Sequence, residues 1–564
     1  MASQLGRNNY RPSFIYLGLS SLFINILSLS LPILSLQVYD RILVFHGLGT
    51  LNVLLTAVIF ALALEITLRI ARSYTTTWAG AAYEHHTSCQ AIDHQLMVEP
   101  LAIERRGISG SLQNMAAIGK LTEFVGGQAM VCLIDLPFVC LYLGLIAVIA
   151  GYLALVPFAI LIIFAGMAWF GSYELKNALV DQEDVDQRQI SFLIEALGGI
   201  HSIKSMGAEA GFLRRHERLQ TTASIHKHRI AFTSGGAAIV GTAFGLIMMV
   251  AVTATGAVMV IHSGLSVGAL VASVLLSGRI MQPIQRALGI WIRYQDVQLA
   301  KNRVDRLFAT PIMIDSAFEL PAQRKGSLEL RDLAFSYQDD GSKPLFRKIN
   351  LSLGPGDWIS VSGGYGSGKS ALLKLMAGLL KPTSGSVLIE GVDAHSFPTT
   401  NLVKYVGYLA TKGTIFDGTV RDNLSAFNPD MEIGAIEMAR FLGIEQAIAS
   451  MPLGYDTVVT DSGSDSIPSG LKQCIALARV LAHKPRLLLF DNADRALDQD
   501  NYNHLFRLLG RLKGKVAMVI VSDDRNFLRL AKEEYLLVDG HLVKQDVTLD
   551  SKVHDVRAFQ ELPL

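Results

Sequence analysis

Long unbroken apolar runs fill the first half of the chain, and short alternating ones fill the second. The runs Phe14–Gln37, Leu51–Ile70, Gln128–Ile149, Tyr152–Tyr173, Ala237–Ile261 and Leu265–Ile280 are each long enough, or nearly so, to cross roughly 30 Å of hydrocarbon as helices. From about Gly326 the period shortens. Leu328–Tyr337, Ile349–Leu353 and Trp358–Ser362 read as strands, with turn residues between them and helices after them. The pattern predicts an α-helical membrane domain of six spans over residues 1–310, a linker at 311–325 marked by Pro311 and Pro321, and an α/β domain over 326–564. The first run is longer than the apolar region of a signal peptide and no small-residue cleavage site follows it, so it reads as a retained helix.

Loop lengths alternate. Val44–Thr50, Gly151 and His262–Gly264 are short, whereas Ala71–Gly127 and Glu174–Gly236 are long, polar and expected on one side. Those two segments hold Arg72, Arg105, Arg106, Lys120, Lys176, Arg188, Lys204, Arg214 and Arg215, against Arg41 alone near a helix end opposite. The bias puts the long loops and both termini in the cytoplasm. Inside the spans, Asn25 and Glu65 are polar and should face a bundle interior, a cavity or a partner subunit. Glu65 reads either as part of a substrate path or as a group near the cytoplasmic end that bonds to a neighbouring helix.

Composition supports a membrane protein with a soluble domain. Half of the 564 residues are hydrophobic and 18% are charged, against roughly 25% charged in soluble domains, which excludes a disordered or fibrous chain. A net charge of +1 gives no argument for nucleic acid. Cys89, Cys132, Cys140 and Cys474 form no CxxC pair. His85, His86, Cys89 and His94 cluster at near-helical spacing without a carboxylate partner, which argues against a metal centre.

The chemistry enters with Trp358–Ser362, an apolar strand that runs into Gly363, Gly364, Tyr365, Gly366, Ser367, Gly368, Lys369 and Ser370, followed by a helical run at Ala371–Leu380. This is G-x-x-x-x-G-K-S between a strand and a helix. Glycines let backbone N–H groups curl around phosphate oxygens, and the helix N-terminus adds partial positive charge. Lys369 reaches the β- and γ-phosphates, and Ser370 can hold Mg²⁺. A second strand, Arg486–Phe490, ends in Asp491, where a carboxylate is wanted opposite Ser370 to hold the water shell of the metal. ATP and Mg²⁺ are the ligands expected.

The order Phe335-Ser-Tyr337, GGYGSGKS, Cys474-Ile-Ala-Leu-Ala-Arg479, LLLFD and Arg495-Ala-Leu-Asp498 resembles the nucleotide-binding domain of ATP-binding cassette (ABC) exporters. In the first half, Leu31-Pro-Ile-Leu-Ser-Leu-Gln-Val-Tyr-Asp-Arg-Ile-Leu43, Asp135-Leu-Pro-Phe138, and Glu195–Lys204 with Gly207-Ala-Glu209 are similar to the permease of type I protein secretion transporters. The resemblance implies a dimer in the bacterial inner membrane, in contact with lipid, beside a periplasmic adaptor and an outer-membrane channel. With only a dozen residues before the first span, the N-terminal peptidase-like domain of some relatives is expected to be absent. It also implies that Tyr337 stacks on adenine, the plainer reading being a strand aromatic packed in a sheet. Two coupling segments would meet the cassette from the long loops, the second at Gly198–Lys204.

Hydrolysis in that family needs further parts, and most are altered at the aligned positions. Asn492 stands where a Glu would polarise the attacking water, and an amide cannot take the proton; loss of a general base costs about 10²–10⁴-fold. Asp523 stands at the switch histidine, where an ionised carboxylate would repel a γ-phosphate and disfavour closure. Thr411 replaces the glutamine that links metal and coupling loops. The signature L-S-G-G-Q becomes Ile467-Pro-Ser-Gly-Leu471: Pro468 offers neither N–H nor hydroxyl, while Ser469 keeps a hydroxyl one position on and Gly470 still allows close approach. Asp498 belongs to the loop that follows.

Each composite site would join the phosphate loop of one chain to the signature of another, so a homodimer would have no complete site. The favoured expectation is an ATP-binding, weakly hydrolysing half-transporter paired with an ATPase-competent second half-transporter. Two alternatives stay open. One is a self-sufficient homodimeric exporter of peptide or lipid in which Asp494 or Asp523 replaces the base; the other is a nucleotide sensor or scaffold that transports nothing.

Overall fold

A computed structural model describes residues 11–126, 128–313, 325–337, 344–397, 399–461 and 467–545. Pro321 and most of the expected linker lie outside the described residues. The chain divides into two compact units, one of residues 1–98 and 102–311, the other of Glu99–Leu101 and Ile312–Leu564.

The first unit is helical. Its elements are α1 (Arg11–Leu27), α2 (Ser30–Gln37), α3 (Leu48–Met97), α4 (Pro100–Val125), α5 (Gln128–Asp135), α6 (Phe138–Ala150), α7 (Leu155–Gly198), α8 (Ile200–Ser205), α9 (Glu209–Ser263) and α10 (Val267–Phe308). Five stretches are long and apolar enough to cross a membrane: Ile15–Phe45, Leu48–Met97, Val131–Met167, Ile239–His262 and Val267–Trp291. The third is divided where Gly151 takes φ 56° and a 3₁₀ turn leads into α7.

The two segments expected as long polar loops are mostly helix. The 50 residues of α3 and the 55 of α9 reach about 75 and 80 Å at 1.5 Å per residue, well beyond the hydrocarbon. Polarity changes along α3, α7 and α9, but nothing breaks the backbone until Pro100 follows the end of α3 and the Gly198–Gly199 pair ends α7. Each helix therefore continues with its charged positions outside the apolar zone. Gly80 and Gly126 let α3 and α4 cross closely: a Cβ on Gly126 would stand 2.3 Å from the Gly80 Cα. At the other end of the bundle, Asp40 Oδ2 accepts from Ser266 Oγ at 2.6 Å and Oδ1 from Gly268 N at 2.8 Å, capping α10.

Apolar packing among Tyr142, Ile146, Phe164, Met248, Val252, Leu276 and Ile280 forms the centre of the bundle. A polar network is buried beside it. Asp135 Oδ1 accepts from Asn25 Nδ2 at 3.1 Å and Arg72 Nη1 at 3.2 Å, and Arg72 also donates to Ser21 Oγ at 2.8 Å. Tyr142 donates to Asn25 Oδ1 at 2.8 Å. Asn25 thus faces the interior, as its polarity demands. Glu65 is buried and bonds to Arg69 one turn along its own helix, at 2.6 Å, rather than to a neighbouring helix; its Oε2 is buried with no hydrogen-bond partner among the described residues.

The second unit is built on two large sheets, beside a short ladder that pairs Gly418–Thr419 with Val458–Val459. β1 (Leu328–Phe335), β2 (Phe346–Leu353), β4 (Ser384–Ile389) and β5 (Val392–Asp393) form an antiparallel sheet in the order β2-β1-β4-β5. The larger sheet combines β3 (Trp358–Ser362), β6 (Val406–Leu409), β7 (Leu487–Asp491), β8 (Ala517–Val521), β9 (Glu533–Val538) and β10 (His541–Gln545) in the order β10-β9-β3-β8-β7-β6. From β9 to β6 its strands are parallel, and the central three, β3, β8 and β7, are buried along nearly their whole length, which explains why they read as continuous apolar runs rather than alternating ones. Helix α11 (Lys369–Met376), shorter than the expected Ala371–Leu380, yields to Gly378 at φ 69°. Helix α12 (Ser469–Ala482) buries Leu471, Cys474, Ile475, Leu477, Ala478 and Leu481 in the core, and burial pushes the Cys474 thiol up to about 12.

Removing one partner of a buried ion pair strands the other charge, at a cost of about 3–5 kcal/mol. Asp135→Ala should therefore lower the unfolding midpoint of the purified protein sharply, and Arg72→Met combined with Asp135→Leu should regain most of the loss. Denaturation in detergent measures both, and a single variant as stable as wild type would remove the pair from the forces that hold the bundle.

Candidate nucleotide site

The site forms at the carboxyl ends of the parallel strands, where open α/β sheets bind ligands. β3 runs straight into the loop 363–368, and α11 begins at Lys369. Gly366 and Gly368 take φ 76° and 98°, and a Cβ on Gly368 would come within 2.9 Å of the Phe346 ring, so the loop needs glycine there for both conformation and space. Lys369 Nζ donates to the carbonyls of Gly363 at 2.7 Å and Gly364 at 3.0 Å, which holds the ammonium on the loop it serves. Ser367 Oγ is buried with no hydrogen-bond partner among the described residues, a group that a phosphate oxygen would satisfy. Gly364 and the exposed Tyr365 complete the loop.

The register of β7 against β8 places Val521 beside Asp491. Asp491 is 2% exposed; its Oδ1 accepts from Ser370 Oγ at 3.0 Å and its Oδ2 from Tyr408 O–H at 2.8 Å. A hydroxyl and a carboxylate side by side are the hard oxygen donors that suit Mg²⁺, which takes its remaining ligands from water and phosphate. No group of three His, Cys, Asp or Glu that could hold a metal by itself occurs among the described residues. Tyr408 escaped sequence reasoning because a strand aromatic carries no signal of what its hydroxyl meets. Burial, and then the neighbouring carboxylate, push the Tyr408 phenol well above its ordinary range, so it stays a donor.

Three altered positions converge on the same edge. Thr411 Oγ1 donates to the Asp491 carbonyl at 2.8 Å, so its hydroxyl is spent on the backbone. Asn492, at φ 46°, a left-handed geometry that Asn tolerates, donates its N–H to Val521 O at 2.7 Å and accepts from Asp523 N through Oδ1 at 3.1 Å. Asp523 is ion-paired with Arg495. The repulsive carboxylate expected from the sequence therefore has a counter-charge three residues beyond Asn492, a partner that sequence spacing alone did not reveal. Asp494 accepts from Ser522 Oγ at 3.1 Å, and burial raises its carboxyl above the usual range.

The signature segment and the loop after β7 lie together. Pro468 precedes α12 without a side-chain cap, Ser469 is the first helical residue, and a Cβ on Gly470 would approach the Ala496 carbonyl to 3.1 Å. Asp498 caps helix α13 (Gln499–Leu512) by accepting from Asn501 N at 2.8 Å. Tyr337 lies beyond the end of β1, partly exposed, with its ring edge-on to Phe335 at 5.0 Å, so it is not a core aromatic of the sheet.

Comparisons with known proteins agree with this architecture. Residues 14–284 match the family described as ABC transporter transmembrane region, and residues 346–495 match the family described as ABC transporter. The toxin RTX-I translocation ATP-binding protein of Actinobacillus pleuropneumoniae is 26% identical over 95% of this chain and 76% of its own length. The alpha-hemolysin translocation ATP-binding protein HlyB of Escherichia coli O157:H7 is 26% identical over 96% and 76%. The leukotoxin export ATP-binding protein LtxB of Aggregatibacter actinomycetemcomitans is 27% identical over 95% and 76%. The structure of a bacterial Atm1-family ABC exporter with ATP bound superposes with a TM-score of 0.81 at 18% identity, covering 95% of each chain, which establishes the fold.

Outer groups that orient a metal-binding carboxylate typically contribute about 10- to 100-fold in metal affinity. Tyr408→Phe should raise the Mg²⁺ concentration that gives half-maximal ATP binding by about tenfold, with ATP binding in EDTA unchanged. Titration of bound fluorescent nucleotide against Mg²⁺ measures this, and an unshifted curve would show that Tyr408 does not position Asp491.

Proposed function

This chain belongs to the ABC exporters, carrying the transmembrane region and the ATP-binding domain of that family on one polypeptide, and we propose that it is an ATP-binding half-transporter with weak or no hydrolysis of its own. The carrying observation is the combination of a complete phosphate loop with an amide at Asn492, whose Oδ1 accepts from the Asp523 N–H. Such a site binds nucleotide without a base to activate water. The helix start at Pro468–Ser469 adds to this, because a proline supplies no N–H to a phosphate.

A chain of this kind works best beside an ATPase-competent half-transporter, whose own phosphate loop would meet Ser469 and Gly470 of this one. The relatives named for toxin and hemolysin translocation support an unfolded polypeptide as cargo and the bacterial inner membrane as the place. A periplasmic adaptor and an outer-membrane channel are the corresponding partners. The cationic distribution in the helical extensions supports both termini on the cytoplasmic side. Tyr337 is assigned to adenine, Lys369 to the β- and γ-phosphates, and Ser370 with Asp491 to Mg²⁺.

One observation favours a self-sufficient homodimer instead: the Asp494 carboxyl, raised by burial, moves toward the range in which a general base works. Steady-state ATPase activity in lipid nanodiscs, with ATP binding measured in parallel, separates the two. We expect wild type to bind ATP while its turnover does not exceed that of Lys369→Ala. Robust turnover that Lys369→Ala abolishes and Asp494→Asn reduces about 10²-fold or more would overturn the proposal in favour of the homodimer.

A further inference from the structure

Arg495 and Asp523 are half-exposed, with side-chain exposures of 49% and 52%, and an ion pair that wet contributes little to stability. Their placement is more informative. β7 and β8 are adjacent and parallel and end together at Asp491 and Val521, so Asn492 and Ser522 are the first residues beyond each strand. A turn closed by Arg495 N donating to Asn492 O at 3.3 Å brings the arginine back over the strand ends. Asp523 N donates to Asn492 Oδ1 at 3.1 Å, which fixes the second loop against the first. The Asp523 carboxylate, and with it the Tyr365 hydroxyl of the phosphate loop, hold the guanidinium charged, above its ordinary range. A cation carried by the β7 loop, anchored by the β8 loop and in reach of the phosphate loop thus stands at the nucleotide end of the sheet.

We propose that Arg495, positioned by Asp523, is a ligand for the terminal phosphate of ATP bound in the same chain, so that this subunit distinguishes ATP from ADP without hydrolysing it. A guanidinium carries five N–H donors in a planar fork. One carboxylate occupies at most two of them, and the rest suit a phosphate oxygen pair. The pair also explains how an acidic residue is tolerated at position 523: the two charges cancel before the phosphate arrives, and Asp523 acts on the nucleotide only by aiming the arginine. A subunit that reads the γ-phosphate in this way responds to the exchange of ATP for ADP, which suits a regulatory half of a transporter. The inference rests on the proposed nucleotide site.

Equilibrium binding of ATP and of ADP, each with Mg²⁺, to the full chain in nanodiscs tests it. Hydrogen bonds to charged groups are worth about tenfold or more in affinity. Arg495→Ala should therefore weaken ATP about tenfold or more and ADP less than about threefold, with an unchanged unfolding midpoint. Arg495→Lys, which keeps the charge and loses the fork, should fall between. Asp523→Ala should also lower the preference for ATP although it removes a negative charge, and Asp523→Glu should restore it. If Arg495→Ala leaves the ATP to ADP ratio unchanged while Lys369→Ala abolishes binding of both, the inference is wrong and the nucleotide site stands. If Asp523→Ala selectively strengthens ATP, Asp523 repels the phosphate and does not position Arg495. If wild type binds neither nucleotide, the inference and the site fall together.

Discussion

The parallel hydrogen-bond ladder of β3, β8 and β7 is the constraint on which the nucleotide-binding unit depends. Pairing of Val519 with Ile359 and with Leu489 sets three strand ends side by side, and everything chemical in the second unit is attached within a few residues of them. The phosphate loop leaves β3, Asp491 closes β7, and Ser522 and Asp523 follow β8. A one-residue slip in such a ladder would turn Asp491 away from Ser370. The alternative is opposed by a continuous apolar surface: Leu487, Leu489, Val519, Val521 and Val361 pack into one core, while Leu488, Phe490, Met518 and Ile520 pack into the other.

Around that ladder the substituted residues act as a set rather than as isolated losses. Asn492, Thr411 and Asp523 each have a backbone or side-chain partner, so the edge of the sheet beside the phosphate loop is hydrogen-bonded throughout these three positions. An unpaired carboxylate or amide would be costly there. Paired ones leave a nearly neutral surface in front of the phosphate loop.

The membrane unit obeys a different constraint. Hydrocarbon gives no partner to a polar group, so Asn25, Arg72 and Asp135 must find one another, and they do so across α1, α3 and α5. The same physics makes its helices long. Once a backbone is fully hydrogen-bonded along its own axis it has no reason to stop at the edge of the apolar zone, and α3 and α7 continue beyond it until proline or glycine ends them.

Much of this was legible in the sequence, for reasons that are local. Apolar runs marked the membrane helices because hydrocarbon thickness is a length requirement on contiguous residues. The phosphate loop was recognisable because its glycines, Lys369 and Ser370 act within eight consecutive positions, and Asp491 because it ends an apolar strand. The helical state of the presumed loops was not legible, since charge and polarity say where a segment is solvated and not whether its backbone is helical. Nor were the partners of Asp135, of Tyr408 and of Asp523. Each of those contacts joins residues that only helix packing or strand order brings together, 110 positions apart for Asn25 and Asp135 and 28 for Arg495 and Asp523. Composition and spacing determined which groups this protein possesses, and the tertiary structure decided which charges meet, because electrostatic and hydrogen-bond energies depend on distance in space rather than on distance along the chain.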